Sequence, residues 1–361
     1  MDFHSSGLTL TAAQVAERLG LGRVQATLLA ALAELDRPPQ PTDPDYEERA
    51  PSGKLTLPET DALAALLAWL EVDPEDSVDL LRTIPDPEHD PERWWLLERC
   101  HTLLVRSLAK QTGGLAPLPP LPAALALFPA HLICASVDDI RRLHGGSGIP
   151  EDVSRETLSQ LGRAMAAYRV SHGKPGILLT GWEWMRFSGL LYQVGRLQVI
   201  PYRLCTDPSA GPLFWYDEET TARLGAGFRK GDTALSVHVP AADPLSPAAC
   251  DRSFTRMRTA FAGVFAGERP RVATCTSWLL DDQLAEYLPA DSNILAFQRR
   301  FDLVPGARDE DEALLRFVFG VPHAKELDDL PQRTTLERAV VSHLRQGRHW
   351  RIRTGWLDLT K

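Results

Sequence analysis

Through its first half the chain repeats apolar residues every three or four positions, the period of a helix that buries one face. Residues 8–19 (LTLTAAQVAERL), 24–35 and 61–70 carry that spacing, with Thr9 or Thr11 and Thr60 placed to cap the first and third. Further helical blocks cover 92–110 and 154–168. The connectors differ in character. Residues 37–53 form an acidic, proline-rich loop, whereas 115–122 (LAPLPPLP) alternates leucine with proline, which predicts a stiff connector docked on a neighbour. Gly173-Lys174-Pro175-Gly176 is the clearest punctuation, and beyond it the period changes towards two. Runs at 177–180, 190–194, 197–204 and 235–239 read as strands, joined by Gly195-Arg196 and by an insertion at 207–212. A further strand at 271–276 breaks into a polar turn, a helix follows at 291–300, and closing strands are expected near 301–304 and 314–319. The pattern predicts an α+β chain of two domains: a helical one over 1–170, then a mixed, twisted sheet with flanking helices over 171–361.

Composition narrows the class. A chain of 361 residues that is 44% apolar can bury a large core. No window approaches 18 uninterrupted apolar residues, and MDFHSSGLTL lacks a charged segment followed by an apolar one, so no membrane partner is expected and the cytoplasm is the expected location. Cys100, Cys134, Cys205, Cys250 and Cys275 are scattered without a C-x-x-C pair, which predicts reduced, mostly buried thiols and no metal. A net charge of −9 without clustered lysine or arginine argues against a nucleic-acid partner.

The densest local chemistry lies at 235–265. Leu235, Val237 and Val239 share one strand face and Ser236 and His238 the other; after a proline-rich turn, Ser246-Pro247 opens a helix as a cap followed by proline at the first position. Cys250, Phe254, Met257, Phe261 and Phe265 form its buried stripe, and Arg252 and Arg256 stand near a helix start whose N–H groups attract anions. A plain capped helix gives the same pattern. His238, half-buried beside that start, is a candidate base, or a structural hydrogen-bond donor. Glu183, between Trp182 and Trp184 at an expected strand start, is a second candidate base, with core and rim as the competing role. Cys275 reads as a buried thiol, because a nucleophile needs an adjacent base and no G-x-S-x-G elbow is present.

Three segments, GRLQVIPYRL (195–204), VHVPAADPLSPAAC (237–250) and TSWLLDDQLAEYLPADSNILAFQRRF (276–301), resemble the bacterial GNAT-like acyltransferases that carry a helical N-terminal domain. The resemblance implies that strands 235–239 and 271–276 diverge to admit the pantetheine arm of acetyl-CoA or another acyl-CoA. It also implies that the start of the 246–265 helix receives the pyrophosphate, which assigns coenzyme contacts to Val237, Val239, Ser246, Ala248, Ala249, Arg252 and Asn293. One departure stands out: the glycine-rich phosphate loop of the superfamily is replaced by 240–247, which has no glycine. Arg300 occupies the place where a tyrosine acid often sits, which leaves Ser277 and Tyr287 as candidate acids.

The expected activity is transfer of an acyl group from coenzyme A to an amine or hydroxyl of a small-molecule or peptide acceptor. Two alternatives use the same residues. Loss of the glycine loop fits a non-catalytic binding module. Residues 8–35 resemble a helix-turn-helix with Gly20 to Gly22 as the turn, which would make the chain a regulator with a ligand-sensing C-terminal domain; its reading helix offers only Arg23, Gln25 and Thr27 to bases. The sequence leaves the oligomeric state open.

Overall fold

Thr11 opens the first helix with a reciprocal cap. Its hydroxyl accepts from the Gln14 N–H, the Gln14 side chain accepts from the Thr11 N–H, and Gly20 closes the helix in the left-handed conformation that glycine adopts without strain. The computed structural model describes residues 10–35, 55, 57–110, 118–179, 181–205, 228–240, 243–321, 323 and 327–361. Thr9, Thr180, the acidic loop 37–53, residues 115–117 of the leucine–proline connector and the insertion 207–212 lie outside them.

The chain forms two compact units, Met1–Leu191 and Tyr192–Lys361. The described elements of the first are helical: α1 (Ala12–Leu19), α2 (Ala26–Glu34), α3 (Thr60–Trp69), α4 (Pro74–Arg82), α5 (Pro91–Lys110), α6 (Phe128–Gly146), α7 (Glu151–Leu158), α8 (Gln160–His172) and α9 (Gly181–Phe187). Leu32, Leu63, Leu67, Leu96, Leu104, Leu132 and Ile133 fill its core. The stretch Ala123–Gly146 is long and apolar enough to cross a membrane by length and composition, but most of it is buried inside the protein. Fully buried Asp76 is held by Arg169, which also pairs with Glu75 and Asp79.

Three expectations fail in this unit. The helix expected at 154–168 is two helices, broken at Ser159. Residues 177–179 are irregular rather than a strand: the Ile177 N–H donates to the Ala126 carbonyl at 3.0 Å, so the backbone is satisfied by the helical unit instead of a sheet. Trp182, Glu183 and Trp184 lie on a helix, α9, where the three-residue step from Trp184 to Phe187 buries both rings. The helix-turn-helix alternative also loses a reader. Gln25 is buried, accepts from the Gly22 N–H at 2.7 Å and donates to the Pro120 carbonyl.

The second unit runs β1 (Tyr192–Val194), β2 (Leu197–Arg203), β3 (Thr233–His238), α10 (Pro247–Ala260), β4 (Val272–Ser277), α11 (Asn293–Gln298), β5 (Asp302–Leu303), β6 (Arg308–Asp309), α12 (Asp311–Phe319), α13 (Thr335–Arg345) and β7 (Arg351–Asp358). Its described strands form one mixed sheet in the order β1-β2-β3-β4-β7-β5, with β6 on β7, and only β3 and β4 run parallel. The predicted stripe of α10, from Cys250 to Phe265, is buried, and Phe261 meets Tyr192 edge-on at 5.4 Å. The strand expected at 314–319 is instead part of α12: an acidic first turn (Asp311, Glu312) precedes Leu314, Leu315 and Val318, and Gly320 ends it in the left-handed conformation. The strand that closes the sheet is β7, which the hydrophobic pattern did not predict.

Candidate active site

The centre of the sheet contains a built-in opening. β3 and β4 are registered at Ala234↔Val272, Leu235↔Ala273 and Ser236↔Thr274, and there their pairing stops. Beyond that point β3 keeps only its other neighbour, through Val237↔Val199 and His238↔Gln198 on β2. β4 likewise continues only on β7, through Cys275↔Gly355, Thr276↔Thr354 and Ser277↔Arg353. The two strands therefore part towards their C-terminal ends, and among the described residues no strand is registered against Val237 or Cys275–Ser277 on the gap side. An extended chain bearing amides can supply the missing hydrogen bonds.

Residues paired across strands share a sheet face, so Gln198, Ser236, His238, Thr274 and Thr276 lie on one side. These polar groups bond to their own neighbours. His238 Nε2 lies 3.1 Å from Ser236 Oγ, the Gln198 amide donates to Gln193 Oε1 at 2.8 Å, Tyr202 and Thr274 share a hydrogen bond at 2.8 Å, and Thr276 and Thr354 share one at 2.9 Å. Burial pushes the His238 imidazole down to about 4, so it is neutral near pH 7 and holds a lone pair. Gln193, Gln198 and Tyr202 escaped the sequence reading, although the alternation of Gln198, Ile200 and Tyr202 along LQVIPYR places them on one face.

After β3 the chain turns into α10. Ser246 caps it, accepting from the Ala249 N–H, with Pro247 at the first position. Ala248 and Arg252 are exposed there, and Arg252 makes no hydrogen bond or ion pair among the described residues. Arg300, just beyond α11, reaches this first turn: its guanidinium donates to the Pro247 carbonyl at 3.0 Å and pairs with Asp251 at 2.9 Å. Arg196 joins from the β1–β2 turn, donating through Nε to the Pro244 carbonyl at 3.3 Å. Cationic side chains thus surround a helix start whose preceding loop has no glycine.

The remaining predicted residues are spread out. Val237 is buried in β3 and Val239 follows its end. Ser277 ends β4 at the gap, and its oxygen accepts from the Leu279 N–H at 3.1 Å, which leaves its O–H to donate. Asn293 is the exposed first residue of α11. Tyr287 lies in a separate small core with Leu284 and Trp350, hydrogen-bonded to His343 Nδ1 at 3.0 Å. Glu183 is on α9, in the other unit, 3.9 Å from Arg186. Cys275 is buried, which pushes its thiol up to about 12 and leaves it a packing group. Among the described residues no cluster of three or more His, Cys, Asp or Glu side chains could hold a metal ion.

Comparison with known proteins agrees with this geometry. Residues 191–357 match the model of a GNAT-like C-terminal domain, and residues 61–189 match that of an N-acyltransferase N-terminal domain. Among solved structures, an acyltransferase in complex with decanoyl-CoA and teicoplanin is 35% identical, with a TM-score of 0.72 over 97% of this chain and 100% of that one. An acyltransferase in complex with decanoyl-CoA has the same identity and TM-score over 97% of this chain and 99% of its own. No curated protein matches the chain.

Proposed function

The chain belongs to the GNAT-like acyltransferases that carry a helical N-acyltransferase domain, and we propose that this acyl-CoA-dependent enzyme acylates an amine. The parting of β3 and β4 carries the reading. In it, the pantetheine arm lies in the gap and pairs with the freed strand edges, while the start of α10, with Arg252, Arg300 and Arg196, takes the pyrophosphate. Arginine forks stand in for the backbone N–H groups that a glycine loop would present.

Backbone N–H groups near Val239 polarise the thioester carbonyl. The acceptor nitrogen attacks that carbon, His238 takes the proton that the nitrogen sheds, the C–S bond breaks, and the thiolate leaves with a proton returned by an acid. Ser277 is the better placed acid, because it ends β4 at the gap with its O–H uncommitted, while Tyr287 is engaged by His343. An imidazole titrating at about 4 is a weak base. It can still take the proton of an amine adduct, which becomes strongly acidic as the thiolate departs, whereas a hydroxyl must lose its proton as it attacks and so needs a stronger base.

Teicoplanin sits with decanoyl-CoA in a related enzyme, so a glycopeptide is the first acceptor class to try, with medium-chain acyl-CoA as donor. Incubation of the protein with decanoyl-CoA and teicoplanin should yield a product heavier by one decanoyl group and an equivalent of free thiol. Thiol release without acceptor modification across a panel of amines would refute the transferase assignment. The glycine-free stretch 240–247 favours a second reading, a binding module, which predicts acyl-CoA binding by calorimetry without turnover.

A further inference from the structure

A cavity of about 280 Å³ lies within the helical unit at the start of α6, walled also by α4, α5 and the turn after α8. Pro85, Leu125, Phe128 and Pro175 make much of the wall apolar, and its charges do not cancel: Asp79 stands among Arg82, Arg93 and Lys174. Asp79 is already taken up, by Arg82 at 2.8 Å and Arg169 at 3.1 Å. Arg93 is loosely held, 3.3 Å from Asp90 and 3.4 Å from the Ala124 carbonyl, and exposed Lys174 makes no hydrogen bond or ion pair among the described residues. His131, also on the wall, is only 4% exposed. Its Nε2–H donates to the Leu80 carbonyl at 3.1 Å, which puts the lone pair on Nδ1, and no described residue donates to that nitrogen. Burial pushes the ring down to about 4, with the Arg93 charge adding to the shift, so it is neutral near pH 7. The cavity thus offers cationic donors and a buried, unfilled acceptor.

We propose that this cavity is a second ligand site, for a small hydroxy acid whose carboxylate lies on Arg93 and Lys174 and whose hydroxyl donates to His131 Nδ1. The site is independent of the acyl-transfer reading, since every residue that lines it belongs to the helical unit. Three features select the ligand class. The uncommitted cations and the start of α6 favour an anion. A buried acceptor calls for a donor on the same molecule, and the Arg93 charge that disfavours an imidazolium at His131 would equally repel an ammonium, so a hydroxyl fits where an amino group does not. The apolar wall suits a hydrocarbon body, and would leave oxygens of a bare phosphate without donors on that side.

Calorimetry of the full chain with mandelate tests the proposal. Mandelate should bind saturably; phenylacetate, which lacks the hydroxyl, should bind about 3- to 10-fold more weakly, and methyl mandelate, which lacks the charge, more weakly still. Lys174→Gln should weaken mandelate binding about 2- to 5-fold, as expected for an exposed charge, without changing the melting temperature. His131→Phe keeps a ring and discards Nδ1, while the Leu80 carbonyl retains the Thr83 N–H at 3.2 Å; this variant should bind mandelate and phenylacetate alike. Absence of saturable heat with mandelate, tighter binding of inorganic phosphate, unchanged mandelate affinity in Lys174→Gln, or a preference for the hydroxyl that survives in His131→Phe would each overturn the proposal. Should His131→Phe fail to fold, the order of the three ligands on wild type and the Lys174→Gln result decide the matter.

Discussion

β4 is held by β7 along its whole length, six registered pairs, but by β3 along only the first three. The difference separates scaffold from site. On the β7 side every residue of β4 has a registered partner, and Gly355 lets the neighbouring layer close in, since a Cβ there would stand 2.8 Å from the Phe301 Cβ and 3.1 Å from a Leu280 methyl. On the β3 side the ladder is left unfinished where His238 and Ser277 end their strands. A sheet can keep an unpaired interior edge only if something else satisfies it, and the bound coenzyme is that partner in the proposed mechanism.

The sharpest way to break the comparison is to alter chemistry at the parted end without touching the paired one. Replacement of His238 by alanine should lower turnover by about two to four orders of magnitude, the range for loss of a general base, while calorimetry finds acyl-CoA affinity nearly unchanged. If turnover is normal, the base lies elsewhere, and Glu183→Gln is the next variant to measure. A smaller loss is expected at the helix start. Arg252 is exposed and makes no hydrogen bond or ion pair among the described residues, so Arg252→Ala should weaken acyl-CoA binding by about 1–3 kcal/mol without changing the melting temperature. Unchanged affinity would move the phosphates away from α10.

The paired side predicts the reverse separation. Gly355→Ala forces a methyl group against Phe301, Leu280 and Leu303, which should destabilise the second unit by about 1–3 kcal/mol in denaturant titration and leave the KM for acyl-CoA within a factor of a few. A selective rise in KM would mean that the β4–β7 seam is not independent of the gap.

The same contrast governs how much the sequence could disclose. The parted side announces itself, because β3 alternates cleanly and is followed by Ser246-Pro247, a cap signal that depends on two adjacent residues. β7 does not: in RIRTGWLD arginine, threonine and tryptophan dilute the alternation, and its paired role rests on β4 partners 76 to 86 residues upstream. The helix before it, α13, was legible in principle, since Thr334 and Glu337 form a capping box ahead of an apolar run. The polar face beside His238 was half visible. Ser236 follows from alternation, but Gln198 joins it only through the β2–β3 register, which no local pattern encodes. Leu314, Leu315 and Val318 misled because a short apolar run cannot distinguish strand from helix until the acidic first turn and closing glycine are weighed.

The mildest expected effect comes from pH, and it bears on whether His238 acts in the state in which the fold holds it. Burial disfavours the imidazolium, which puts the folded-state value at about 4 against an ordinary 6.5. A folded value below the unfolded one means that the unfolded chain takes up the proton first. The contribution of His238 to stability is therefore full above pH 6.5 and is lost as pH falls towards 4, together with those of His131 and His144, which burial also pushes down to about 4. Catalysis follows the folded value. At pH 5.5 an ordinary imidazole base would already be mostly protonated, costing about tenfold in kcat/KM, whereas His238 should still be free and the profile, once divided by the fraction of acceptor present as free amine, nearly flat. A kcat/KM profile recorded from pH 5 to 8, over the range in which circular dichroism finds the protein folded, separates the two. An acid limb centred near 6.5 would mean that the proton is taken by a group other than the buried His238, and the gap between β3 and β4 would then bind coenzyme without supplying the base.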